Sequence, residues 1–263
     1  MRDHDFFKDT PKKTVEVEGI SVDFPVLYYD YRFMSYTFTA KIKRLKKILP
    51  HPQFTPIQIW PGTGILSITA FEYRDTSAGS YNEVSVSVPI NFPPAEFLGR
   101  HSALSMMRKH IYPVYVYQLP VTTENARDGG IHFYNYPKFL AEIDFQDRED
   151  HVEVTLSEDH TLILKLRAKK LPLPKSSTFE YHTFSLDEKT VMHTLIEGRA
   201  DKFGQKTWGK CAELELGSHR ISDEIRSLEL SKSAKSGFSG EGAMSKLYLP
   251  NMRWDKDTLM LVP

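Results

Sequence analysis

The chain has 263 residues with 34 Lys+Arg against 34 Asp+Glu, a zero net charge that argues against nucleic acid or an acidic membrane surface as partner. Hydrophobic residues make up 40% and aromatics 12%, enough for a sizeable core rather than a disordered chain. One cysteine excludes an internal disulfide framework and any multi-cysteine zinc site, and no stretch reaches the ~20 apolar residues of a membrane span. Met1-Arg2-Asp3-His4-Asp5 leads into no apolar run, so the reading is a cytoplasmic protein without a signal peptide.

Residues 1–12 are polar and read as a flexible arm. Thr14 to Ile20 alternates with period two and carries Gly19, a strand followed by a turn. Phe24 to Tyr31 and Phe33 to Ala40 read as two more strands, rich in Tyr, Phe and Thr. Lys41 to Leu49 sets Ile42, Leu45, Ile48 and Leu49 on one helix face; its lysines are a solvated face. Strand patterns follow over Pro56 to Trp60, Ile65 to Tyr73 and Glu83 to Ile90. In the last, Val84, Val86 and Val88 share one face and Glu83, Ser85 and Ser87 the other. Residues 93–110 break the rhythm and read as a helical insertion, after which Tyr112 to Leu119 resumes as a strand.

Further strands are predicted over Phe139–Phe145, Val152–Leu156, Leu162–Arg167, Phe179–Phe184, Val191–Leu195 and Thr207–Leu216. Ser222 to Leu228 reads as a helix, residues 231–242 as a mobile loop because small residues dominate, and Lys246 to Pro250 as the closing strand. No repeat and no domain boundary is visible. Many short strands in one domain of residues 1–263 predict a mainly β, antiparallel barrel or sandwich with a few short helices.

One stretch carries the chemistry: Gly130-Ile131-His132-Phe133-Tyr134-Asn135-Tyr136-Pro137-Lys138-Phe139-Leu140-Ala141. Lys138 stands among aromatic and aliphatic neighbours. An apolar setting disfavours the charged form of lysine, and the neutral amine is a nucleophile for carbonyl carbon. Composition alone favours a plainer reading, an ammonium that snorkels to water over an apolar stem. Cys211 reads as a buried free thiol, and the ten histidines form no metal-binding spacing.

The stretch resembles the active-site segment of the acetoacetate decarboxylase family, whose pattern runs Gly-Arg-Glu-x-x-x-Tyr-Pro-Lys-Lys-Leu. Gly130, Tyr136, Pro137, Lys138 and Leu140 match it, and Lys138 falls on the imine-forming lysine. Ile131-His132 replaces the Arg-Glu pair, and Phe139 replaces the second lysine, the cation that activates the first. Tyr81-Asn82-Glu83, running to Pro89-Ile90-Asn91-Phe92 after Asp75-Thr76-Ser77, matches the segment that supplies a site carboxylate. Pro50-His51-Pro52 matches a Pro-x-Pro turn after a short helix. The resemblance spans about Phe24 to Pro250 and is vaguer after Asp150. Read alone, Glu83 would be a solvent-facing strand residue.

Two family site groups are replaced: a glutamate by Thr69, and an early arginine by Tyr31, with Arg32 one residue away and on the opposite strand face. The resemblance implies a cofactor-free enzyme, a homo-oligomer in the family's manner, that forms a lysine imine with a small keto acid. Lys138 and Glu83 are the expected catalytic residues. Tyr31, Arg32, His132 and Tyr136 are the expected substrate-binding residues, His132 sharing a face with Lys138 if the stretch is an unbroken strand. The expected reaction is decarboxylation of a β-keto acid. Aldol–dehydration chemistry on a pyruvate-like α-keto acid, or ligand binding without turnover, are the alternatives.

Overall fold

The computed structural model describes residues 2, 4–17 and 19–262. Met1 and Asp3 of the expected arm, Glu18 of the expected first strand and Pro263 of the tail lie outside the described residues. The strand and turn expected near the start are present as β1 (Lys13–Val17) and the turn at Gly19, and a second strand that was not expected, β2 (Ile20–Phe24), completes a hairpin. Gly19, at φ 80°, takes the left-handed conformation that the turn between them requires.

The two tyrosine-rich segments that follow form a single 16-residue strand, β3 (Val26–Lys41). After it come α1 (Ile42–Ile48), which buries Leu45, the short β4 (Thr55–Pro56) and β5 (Gln58–Trp60), then the long hairpin β6 (Thr63–Thr76) and β7 (Tyr81–Asn91). The expected helical insertion holds a 3-10 turn, Glu96–Leu98, and α2 (Ala103–Lys109), whose Ser102 cap accepts from the Ser105 N–H. β8 (Ile111–Gln118) then leads into α3 (Glu124–Tyr134), an element that the strand-dominated pattern did not suggest.

In the second half, β9 (Glu142–Asp147), β10 (His151–Glu158) and β11 (Thr161–Lys169) precede β12 (Lys175–Leu186) and β13 (Thr190–Lys206). β14 (Ala212–Leu216), α4 (Arg220–Ser227), β15 (Ser236–Leu247), β16 (Met252–Asp255) and β17 (Leu261–Val262) complete the chain.

Seven strands close on themselves in the order β3-β6-β7-β8-β12-β13-β15, and of these pairs only β8 with β12 is parallel. Closure removes the exposed edges that a sheet of this length would otherwise present. A second sheet, β14-β11-β10-β9, packs across the outside of β3, β6 and β7. There Met34, Leu66, Ile68, Val84, Val86 and Val88 meet Ile143, Val154, Leu156, Ile163 and Leu166 in one buried core. The alternation of β7 therefore separates two interiors. Its valines face the second sheet, and Glu83, Ser85 and Ser87 face the barrel lumen rather than solvent.

The segment 231–242 is not a loop. Most of it belongs to β15, a barrel strand between β3 and β13. Its small residues serve close packing: a Cβ on Gly237 would lie 2.5 Å from Tyr36 Cδ1, and one on Gly240 2.5 Å from Phe33 Cε1. The arm is docked, with Phe7 buried against Leu27 and Met244 and Arg2 paired with Asp75. The tail adds β16 to β13 and buries Trp254 beside Phe92. Of the strand expected over Thr207–Leu216, only β14 forms, in the second sheet. Among the described residues no helix is long and apolar enough to cross a membrane.

Candidate active site

Lys138 reaches its position through a chain of backbone hydrogen bonds. α3 ends at Asn135, which takes the left-handed conformation at φ 49° and anchors its side chain by donating to the Leu186 carbonyl at 2.6 Å. The following segment lies along Leu119–Val121: Leu119 N–H donates to Pro137 O, Val121 N–H to Phe139 O, and Ala141 N–H to Val121 O. That segment in turn lies along the start of β7, where Val84 N–H donates to Pro120 O and Thr122 N–H to Asn82 O. Positions 138 and 83, far apart in sequence, are thus set side by side.

The Lys138 ammonium nitrogen lies 2.7 Å from Glu83 Oε2, with the two side chains only 7% and 8% exposed. Tyr73 donates to the other Glu83 oxygen at 3.3 Å. The Tyr81 ring lies 5.6 Å from Lys138 Nζ, and its hydroxyl shares a 3.0 Å hydrogen bond with that of Tyr28. Burial, reinforced by the Glu83 charge, pushes the phenols of Tyr28 and Tyr73 upward, and burial with its neighbours Tyr28 and Glu83 does the same to Tyr81. These hydroxyls are neutral donors around one ion pair. The arrangement sets an amine and a proton-accepting carboxylate side by side at the wall of a cavity.

Lys138 separates two cavities. An outer one of about 350 Å³ lies between β2, α3 and the barrel end, and an inner one of about 80 Å³ lies in the lumen. Tyr28, Tyr136, Lys138 and Leu247 line both. Glu83 and the Tyr31 ring face the inner one, and Asp23 faces the outer. Among the described residues lining either, Lys138 is the only cation.

Four of the six residues expected from the sequence therefore converge: Lys138, Glu83, Tyr31 and Tyr136. Tyr31 is tied to Ser245 and Tyr136 to Thr183 at 2.6 Å. Thr69, standing where a second acid was expected, also lines the inner cavity. Arg32 does not join them. It projects from the opposite face of β3, pairs with Glu72 at 2.8 Å and Asp147 at 2.7 Å, and lies over the Phe145 ring. It ties barrel to second sheet. His132 lies in the last turn of α3, not on a strand, so the shared face expected from a two-residue period does not exist; it lines neither cavity.

Tyr28, Tyr73 and Tyr81 were not anticipated. For Tyr73 and Tyr81 the signal was present, since each shares a strand face with a site residue two or four positions away, Thr69 or Glu83. Among the described residues no group of three or more His, Cys, Asp or Glu would hold a metal ion, and Cys211 is a buried free thiol.

Residues 11–255 match the acetoacetate decarboxylase (ADC) family model. No curated protein matches the chain in sequence. Among solved structures, an acetoacetate decarboxylase superposes with a TM-score of 0.58 at 15% identity, covering 90% of this chain and 91% of that one. The acetoacetate decarboxylase of Legionella pneumophila subsp. pneumophila gives 0.55 at 17% identity, covering 91% and 87%. The enduracididine biosynthesis enzyme MppR complexed with pyruvate gives 0.51 at 11% identity, covering 86% and 89%. At these identities the likeness is one of fold.

Proposed function

The chain belongs to the acetoacetate decarboxylase family, and from that premise we propose that it is a carbon–carbon lyase that decarboxylates a β-keto acid through an imine on Lys138. The observation that carries this reading is the buried 2.7 Å contact between Lys138 Nζ and Glu83 Oε2 at the junction of two cavities. Glu83 accepts the proton that Lys138 gives up, and the free amine adds to the ketone carbon. Loss of water leaves an iminium. The bond to the carboxylate carbon then breaks, its electron pair moves into the iminium, and CO2 departs. The enamine takes a proton on carbon, the iminium reforms, and water releases the ketone and the amine.

The lining favours decarboxylation over aldol chemistry on an α-keto acid. Lys138 becomes the imine, so no second cation remains among the lining residues to hold a carboxylate. A carboxylate left unpaired in an apolar cavity is the form that gains most from becoming neutral CO2. A pyruvate-like substrate keeps its carboxylate throughout and needs such a partner. The test measures CO2 release from a panel of β-keto acids beside consumption of pyruvate with an aldehyde. CO2 from at least one β-keto acid supports the reading. Pyruvate condensation without CO2 release replaces it by the aldol alternative.

A further inference from the structure

The barrel opens a second time at the end away from Lys138. β7 runs from Glu83 at the reactive end to Ser87 and Pro89 at the other, where a cavity of about 450 Å³ lies under α2. Only the wall of Thr69, Ser87, Val114 and Tyr181 is common to this cavity and the inner one beside Lys138. Its volume lies within the ~300–1,000 Å³ of small-molecule sites. Met106 and Met107 close one side, and Tyr112 stacks on Phe238 at 4.7 Å across the other.

Three features mark it as more than packing space. Trp60, Leu104 and Trp208 line it and are 57%, 62% and 61% exposed, three large apolar side chains held in water around one opening. Among the described residues, Lys235 is the only charged one that lines it, no carboxylate does, and Lys235 has no ion pair. Among the described residues, the hydroxyl of Tyr112, a residue only 6% exposed, has no hydrogen-bond partner. A buried unpaired hydroxyl is costly unless something completes it.

We propose that this far-end cavity binds an elongated carboxylate with an apolar middle and an oxygen at its inner end. The carboxylate meets Lys235, the apolar part lies between α2 and the Phe238 ring, and the oxygen accepts from Tyr112. Lys235 stands at the bend just before β15 and Phe238 three residues further on, so at most about 10 Å separates their Cα atoms. The site stands whether or not Lys138 forms an imine.

Titration with nonanoate and 9-hydroxynonanoate, read by tryptophan fluorescence, tests it. Trp254 is buried elsewhere, so Trp60 and Trp208 report on this mouth. Both acids are expected to bind saturably, the hydroxy acid at least threefold tighter. Tyr112→Phe, which removes only the unpaired hydroxyl, should erase that difference, and Lys235→Met should weaken both about tenfold. Binding should persist in Lys138→Arg and be lost in Ala103→Trp, which fills the mouth. No saturable change overturns the proposal. So does binding lost with Lys138, which would place the ligand in the other cavities, or quenching that follows protein concentration alone, which would make the tryptophan rim a contact between copies.

Discussion

Gly130 and Lys138 are in contact across the end of α3: a Cβ on Gly130 would lie 2.5 Å from Lys138 Cε. The helix can pass the lysine stem only because this residue has no side chain. Gly130→Ala should therefore leave the fold intact, since the backbone there is helical and Ala is the better helix former. It should displace the amine from Glu83 and lower kcat at least tenfold, with the melting temperature within a few degrees of wild type. Equal activity in the Ala variant would show that the stem has room to move.

Glu83 is the only carboxylate touching Lys138 Nζ, and Tyr73 is the only other group hydrogen-bonded to its side chain among the described residues. Glu83→Gln keeps the shape and removes the proton acceptor. Turnover should fall by roughly 10²–10⁴-fold, the scale of a lost general acid–base group. Pre-steady-state CO2 release measures it. A loss below threefold would move the proton transfers to another group.

How far this site could be read in the sequence depends on how local its determinants are. The lysine and its glutamate were legible because Tyr136-Pro137-Lys138 and Tyr81-Asn82-Glu83 are short runs tied to strand or segment ends. The tyrosines around them, the orientation of Arg32 and the place of His132 depend on partners far along the chain. α3 was hidden by Gly129-Gly130, residues that weaken a helix pattern but that here let Lys138 pass. β15 was hidden for the opposite reason. Its glycines look like a loop until the Phe33 and Tyr36 rings of β3 are laid against them. Glu83 looked solvent-facing because alternation shows that a strand has two faces but not that both are enclosed.

Stability should depend on pH through a buried histidine pair outside the site. His193 Nδ1 hydrogen-bonds Asn251 Oδ1 at 2.8 Å, and its Nε2 meets His182 Nδ1 at 2.9 Å. Burial, opposed by Asn251 and helped by His182, lowers the His193 pKa from 6.5 to about 4. Burial, helped by His101, lowers His182 to about 4 as well, but the half-exposed Glu180 carboxylate 3.2 Å from its Nε2 works against that shift, so the prediction rests on His193. Its folded value lies below its unfolded one, so the unfolded state binds the proton first. Stability is present above pH 6.5 and is lost as pH falls towards 4, by on the order of 1–3 kcal/mol. Urea melts at pH 7, 5.5 and 4.5 check this, and His193→Asn should flatten the slope over that window.

The substrate should be bulkier than acetoacetate. Tyr28, Tyr31, Tyr73, Tyr81 and Tyr136 line the two cavities, and among the described residues no cation besides Lys138 does. Such walls reward apolar substrate surface at about 25 cal/mol per Å² while offering few charge-assisted contacts, worth about 1.5–3 kcal/mol each. In a graded series of β-keto acids, kcat/KM should rise from acetoacetate to members with an aryl or longer alkyl arm. A maximum at acetoacetate would show that the tyrosines leave room only for the smallest substrate.

The central claim is that Lys138 is the nucleophile, and borohydride trapping tests it most directly. The protein is mixed with a β-keto acid that it consumes, reduced with borohydride, digested, and the peptide spanning Lys138 weighed. The account predicts a stable mass gain equal to the reduced ketone adduct on Lys138, and none in Lys138→Arg, whose guanidinium stays protonated. An adduct on another lysine, or CO2 release undiminished in Lys138→Arg, would contradict it.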